Sequence, residues 1–75
     1  MSLMFRIEYL RESTDQDSVC HVQARPTATL IEAEEAAWGA ALFAWGNWRA
    51  TGFQIRDLDR DGEIVVAEPF DLPTK

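Results

Sequence analysis

The N-terminal part of the chain contains two segments in which apolar and polar residues alternate, a period that is typical of half-buried β-strands. The segments are residues 4–12 and 19–25, and the polar residues 13–18 between them are typical of a hairpin turn. The predicted inner faces consist of Phe5, Ile7 and Tyr9 in the first segment and of Cys20, Val22 and Ala24 in the second. The pattern therefore predicts an N-terminal β-hairpin.

A helix is predicted from Leu30 to Ala50, where the apolar period changes from two residues to about 3.6. Thr29 and Glu32 have the spacing of a capping box, in which two side chains bind the free N–H groups of the first helical turn. Gly52 is predicted to adopt the left-handed conformation that often follows a helix. The stripe predicted to pack on the sheet consists of Ile31, Trp38, Leu42 and Trp45.

The opposite side of this helix is also apolar, although it is predicted to face water. It carries Ala33, Ala36, Ala40 and Phe43. A contiguous apolar strip around an exposed aromatic residue is typical of an interface, so we predict a homodimer or a docking contact with a larger protein through these four residues. The alternative is that the alanines are present because alanine favours helices.

The C-terminal part is predicted to form a second hairpin. Residues 53–59 and 63–68 are rich in strand-forming residues, the turn between them contains Gly62, and Pro69 ends the second strand. The whole chain is therefore predicted to be an α+β domain of order ββαββ, with one helix packed on a four-stranded, largely antiparallel sheet. The domain is predicted to span residues 4–70. Residues 1–3 are interpreted as residues added for recombinant expression, and residues 71–75 as a short tail.

The second hairpin also contains a run of acids that resembles the twelve-residue calcium loop of EF-hand proteins, from Asp57 to Glu68. That resemblance implies a calcium site whose ligands are Asp57, Asp59, Asp61, Glu63 and Glu68, with Gly62 at the sharp turn. The flanking sequence favours a hairpin instead, because Pro69 follows the closing acid and residues 64–66 are β-branched. We predict the hairpin, without a bound metal or other cofactor, and keep the calcium loop as the alternative.

Charge and composition narrow the function classes. The chain has 13 acidic and 7 basic residues, for a net charge of −6, and its bases are scattered. Such a chain is repelled by nucleic acid and by anionic membranes, so neither is a predicted partner. Six of the bases are arginine, which is compatible with a bacterial or phage origin. The single cysteine and the absence of an N-terminal leader predict a cytoplasmic location.

The sequence offers little material for catalysis. Its one cysteine, Cys20, and its one histidine, His21, are neighbours, and neighbours in a strand point to opposite faces. We predict that Cys20 is a small core residue, that His21 is solvated, and that the chain is not an enzyme. The predicted function is therefore a small interaction module. The alternatives are a calcium-binding protein and an acidic mimic of nucleic acid that binds a basic partner.

Overall fold

A computed structural model describes residues 4–26 and 29–70, which form one antiparallel sheet and two helices. The elements are β1 (Met4–Leu10), β2 (Val19–Pro26), α1 (Leu30–Gly39), α2 (Ala41–Trp48), β3 (Gly52–Asp57) and β4 (Glu63–Pro69). The predicted α+β class and the four antiparallel strands are confirmed. The predicted expression leftover, residues 1–3, and the predicted tail, residues 71–75, lie outside the described residues.

The strands lie in the order β2-β1-β3-β4, so the two hairpins meet along β1 and β3 at the centre of an open sheet. Residues in register across the sheet share a face. Ile7 pairs with Ile55 of β3 and with Gln23 of β2. Both edge strands, β2 and β4, belong to the hairpins, and the helices connect the edge strand β2 to the central strand β3.

The predicted helix is interrupted at Ala40 and forms two helices. At its start the capping box is present: Thr29 Oγ1 accepts from the Glu32 N–H at 3.2 Å, and Glu32 Oε1 accepts from the Thr29 N–H at 3.0 Å. At Ala40 the backbone N–H is shared between the carbonyl oxygens of Ala36 and Ala37, at 3.1 and 3.2 Å. Shared donors of this kind are common where a helix ends.

The left-handed residue after the helices is Arg49, with φ 60° and ψ 31°, and the prediction that Gly52 has this role is wrong. Gly52 is instead the first residue of β3. A Cβ at this position would lie 2.5 Å from Ser13 Cβ and 2.8 Å from the Glu68 carbonyl oxygen. Glycine is therefore needed here because two other segments approach the backbone closely.

The core lies between the sheet and the helices, and the two layers contribute side chains of very different size. The sheet layer contributes Phe5, Ile7, Tyr9, Phe53 and Ile55 to the core cluster, joined by Phe70 after β4. Leu10, at the end of β1, is buried as well. The buried residues of the helical layer are Ala33, Ala37 and Ala44, followed by Ala50. Each fully buried large apolar side chain contributes about 1.5–3 kcal/mol, so most of the apolar stabilisation comes from the sheet.

The prediction that Ile31, Trp38, Leu42 and Trp45 pack on the sheet is wrong except for Trp38, whose ring contacts Phe53 of β3. Ile31 is 67% exposed and Leu42 64% exposed, and both tryptophans are also classed among the exposed large side chains. Since the sheet already fills the core with aromatic rings, the residues of the helices that are completely buried against it are all alanines. The helical layer therefore packs with its alanines inward.

The predicted orientation of β2 is also wrong at Val22, which is 45% exposed and pairs with Glu8 on the face of the sheet opposite the helices. His21 pairs with Tyr9 and therefore lies on the helix-covered face. The cause is an irregularity in the β1–β2 register between Tyr9 and Leu10, beside Cys20. One extra residue in a strand exchanges the faces of all the residues after it.

Candidate interaction surface

The outer side of the two helices carries the largest exposed apolar residues of the helical layer. We call Ile31, Trp38, Leu42 and Trp45 the outer stripe. Ile31 and Trp38 lie two turns apart on α1, Leu42 and Trp45 lie one turn apart on α2, and all four side chains are exposed. Phe43, 60% exposed, lies beside the stripe on α2. No residue of α2 carries a charge, so this part of the surface has little that favours contact with water.

The tryptophans connect this surface to the core. The Trp38 ring lies edge-on to Phe53, with 5.3 Å between ring centroids, and to Phe70 at 5.8 Å. The Trp45 ring lies 5.5 Å from the guanidinium carbon of Arg49, a cation–π distance. One edge of the Trp38 ring is thus fixed by packing against the core, whereas Trp45 contacts the exposed Arg49. A rigid aromatic side chain of this kind loses little entropy on binding a partner.

A second line of aromatic residues leads from α2 to β2. The Phe43 ring lies 5.4 Å from Trp48 in an edge-on arrangement, and the Trp48 ring stacks on His21 at 3.7 Å. Trp48 also lies 5.6 Å from Tyr9. The stacking partner of His21 is missed by sequence reasoning, because it depends on the β1–β2 register that the alternation pattern does not give. His21 itself is exposed, as predicted.

The four residues predicted to form the interface do not lie on one exposed side. Ala33 is fully buried, and Ala36 and Ala40 are partly buried against the core. Among the four, only Phe43 is exposed. The prediction that Ala33, Ala36 and Ala40 face water is therefore wrong. The exposed apolar surface consists instead of the outer stripe together with Phe43.

The opposite face of the sheet contains a buried charge cluster around Glu8. Its carboxylate accepts hydrogen bonds from Gln54 Nε2 at 2.6 Å and Arg56 Nε at 2.8 Å, and Arg6 Nε lies 3.0 Å away. Burial alone raises the pKa of Glu8, but the hydrogen bonds from Gln54 and Arg56 and the charges of Arg56 and Arg6 outweigh it. The pKa therefore lies below its ordinary value, and Glu8 stays ionised and fully engaged.

This cluster fixes the sheet rather than presenting a reactive group. Gln54 Nε2 also donates to the Gln16 carbonyl oxygen at 3.2 Å, which holds the β1–β2 loop over this face. Arg56 Nη1 donates to the Gly62 carbonyl oxygen at 2.8 Å and so ties the cluster to the second hairpin. Gln54 and Arg56 thus both connect Glu8 to turns. A carboxylate with a lowered pKa and all its neighbours bound is poorly suited to proton transfer.

The acidic run forms the hairpin that the flanking sequence favours. After β3, a single 3₁₀ turn covers Leu58–Arg60, and Asp61 and Gly62 have positive φ before β4 begins. The Asp57 carboxylate accepts from the Asp59 N–H at 3.0 Å and stabilises this turn. Glu68 is in register with Phe53, near the other end of the hairpin.

The predicted calcium ligands Asp57, Asp59, Asp61, Glu63 and Glu68 are therefore not brought together: Glu68 does not reach the turn that holds the other four. Within the described part of the chain, no three His, Cys, Asp or Glu side chains are placed to hold a metal ion. Cys20, predicted to be a core residue, is half-buried against the core, and its Sγ lies 3.5 Å from the Tyr9 carbonyl oxygen. Neither helix, among residues 4–26 and 29–70, has the length and apolar content to cross a bilayer.

Comparison with known proteins does not change this picture. No family model, no curated protein and no solved structure matches the chain significantly.

Proposed function

We propose that the domain is a non-enzymatic interaction module that binds another protein through the outer stripe and Phe43. The observation that carries the proposal is the exposure of Ile31, Leu42 and Phe43 together with Trp38 and Trp45 on two consecutive helices. Soluble proteins rarely leave a contiguous apolar area of this kind open to water, and larger patches with a polar rim mark interaction surfaces.

The composition of the surface supports a protein partner. Aromatic residues are enriched at the centres of protein interfaces, while charged residues are found at their rims. Here α2 is uncharged, and the acidic residues of the helical layer, Glu32, Glu34 and Glu35, are confined to α1 near its start. The surface thus has an apolar region with an acidic border. The matching partner has an apolar groove or helix face with basic residues on the side that meets α1.

The core arrangement explains how this surface is maintained. The helices pack on the sheet through their buried alanines together with Trp38 and Trp48. The domain does not need Ile31 or Leu42 for its own packing, since these side chains are 67% and 64% exposed. Large apolar residues can therefore be presented outward while the fold remains intact. This division of roles between the two sides of one helix is what a binding module requires.

Site-specific photo-crosslinking in the cells that express the protein tests the proposal. A photoreactive phenylalanine analogue replaces Leu42 in one variant and Ala67 in another. Ala67 is exposed on β4 and pairs with Gln54, so it lies on the opposite face of the sheet and serves as the matched control. The proposal predicts a discrete adduct from position 42 and none from position 67. No adduct at position 42, or equal adducts at both positions, would overturn it.

A further inference from the structure

The two edges of the open sheet differ in how they are protected against pairing with another strand. Unpaired edge strands attract other strands, and proteins commonly block them with charges, bulges or proline. β4 has all three: Glu63 and Glu68, a register irregularity opposite Ile55 and Arg56, and Pro69 at its end. This edge is therefore unsuited to further pairing.

β2 also has a basic residue and a proline, but they lie at its end, at residues 25 and 26, and residues 21–24 contain no acid, arginine, lysine or proline and no irregularity. It is eight residues long, contains no acidic residue, and pairs with β1 in continuous register from Tyr9–His21 to Met4–Pro26. Its one irregularity lies near its start, beside Leu10. Among the described residues, no strand occupies its outer side. In an antiparallel edge strand, every second residue directs its N–H and C=O away from the sheet, so β2 offers a free hydrogen-bonding edge.

We propose that β2 pairs with β2 of a second copy of this chain, in antiparallel orientation, to form an eight-stranded sheet. The two-fold axis is perpendicular to the sheet, because that rotation makes the paired strands antiparallel and keeps the same face upward in both copies. The helices of both copies then lie on one side of the joint sheet. This dimer does not depend on the outer stripe, and it stands or fails separately from the proposed function.

Charge placement favours a second copy over an unrelated acidic strand. The loop before β2 contains Asp15 and Asp17. The single basic residue of β2 is residue 25, near the C-terminal end of the strand. Antiparallel pairing places the end of one strand beside the start of the other. Each basic end therefore lies beside the acidic loop of the other copy. Although the chain carries a net charge of −6, the proposed contact avoids like charges.

Apolar groups border the edge on both faces of the sheet. Val22 is exposed on the face opposite the helices, at the middle of β2. On the helix-covered face, Trp48 stacks on His21. Pairing of the two strands brings these groups near their copies across the axis. The contact therefore combines backbone hydrogen bonds with burial of side chains above and below the sheet.

The test compares the same substitution on the two edge strands of the sheet, at residues that lie on the same face. Val22, Glu8, Gln54 and Ala67 are successive register partners, so Val22 and Ala67 are exposed at opposite edges of the same face. Sedimentation equilibrium is measured for the wild-type chain, Val22→Lys and Ala67→Lys. We expect a wild-type dimer at about 100 μM, a dissociation constant at least about tenfold higher for Val22→Lys, and no change for Ala67→Lys.

Three outcomes would overturn the proposal: a wild-type monomer at this concentration, equal effects of the two lysines, or a dimer that Leu42→Ser dissociates and Val22→Lys does not. The last outcome would leave the proposed function standing, because it would place the contact on the outer stripe. Hydrogen exchange of the wild-type chain gives a second readout that needs no variant. The β2 amides should become more protected as protein concentration rises, while the β4 amides should not.

Discussion

The two sides of the helical layer show opposite distributions of side-chain size. The side that faces the sheet presents Ala33, Ala37 and Ala44, all fully buried. The side that faces water presents the outer stripe, whose members are among the largest apolar residues of the chain. In most amphipathic helices the larger apolar residues are buried and the smaller or polar ones are exposed. The difference shows that apolarity alone does not tell which side of a helix is buried.

The large side chains of the sheet decide which side of the helices faces inward. The sheet presents phenylalanine and tyrosine rings, and Phe53 and Phe70 already stack on each other with 5.6 Å between centroids. A helix that added tryptophans to this layer would have to lie farther away and leave gaps around them, and gaps in a core are costly. Alanines allow close approach instead. The large residues are thereby left available for contact with another molecule.

The largest expected effect comes from placing the same charge on the two sides of α1. Ala33→Glu buries a carboxylate among aromatic rings and should destabilise the domain by more than about 4 kcal/mol, enough to unfold a chain of this size. Ile31→Glu, two residues away, should change stability by less than about 0.5 kcal/mol. Urea unfolding followed by circular dichroism measures both. If Ile31→Glu unfolds the protein and Ala33→Glu does not, the assignment of the two sides is reversed.

An intermediate effect is expected at Glu8, on the face of the sheet that the helices do not cover. Glu8→Gln keeps the shape of the side chain but removes the charge that Arg56 and Arg6 contact, and should cost about 1–3 kcal/mol. Because the pKa of Glu8 is lowered in the folded state, its stabilising contribution is present above the ordinary value of 4.5 and is lost as pH falls through the folded pKa.

The difference in unfolding free energy between wild type and Glu8→Gln should therefore be constant near neutral pH and shrink below pH 4.5. Urea titrations over this range measure it. A difference that grows on acidification would show that the carboxylate is protonated in the folded protein at neutral pH, contrary to the cluster described above.

The smallest effect is expected on the outer side of α2. No atom lies within 4 Å of a Cβ placed at Gly46, so Gly46→Ala should raise stability by about 0.5–1 kcal/mol through helix propensity alone. Gly52→Ala is the contrasting variant, since its Cβ would meet Ser13 and the Glu68 carbonyl oxygen, and it should lower stability. Thermal unfolding compares the two. A loss of stability in Gly46→Ala would mean that this side of α2 is packed.

The sequence pattern was sufficient to locate the four strands and the start of the helical segment, but not the interruption at Ala40 or the orientation of the elements. The alternation in β1 correctly places Phe5, Ile7 and Tyr9 in the core, and the capping box correctly marks the start of α1. The sequence did not show which side of the helices faces the sheet, because both sides are apolar. A helical wheel carries no information about the side chains of the sheet on which the helix packs. β2 was assigned to the wrong face because alternation fits either face and the irregularity beside Cys20 leaves no signal in composition.

The division between a core side and a binding side can be tested most directly by covalent labelling with hydroxyl radicals at low protein concentration. Radicals modify a side chain at a rate that depends on its exposure and its intrinsic reactivity, and mass spectrometry locates each modification. After correction for intrinsic reactivity, Ile31, Leu42 and Phe43 should be labelled nearly as fast in the native protein as in urea. Phe53 and Ile55, which are fully buried, should be labelled only after unfolding. Protection of Leu42 equal to that of Phe53 would contradict the account.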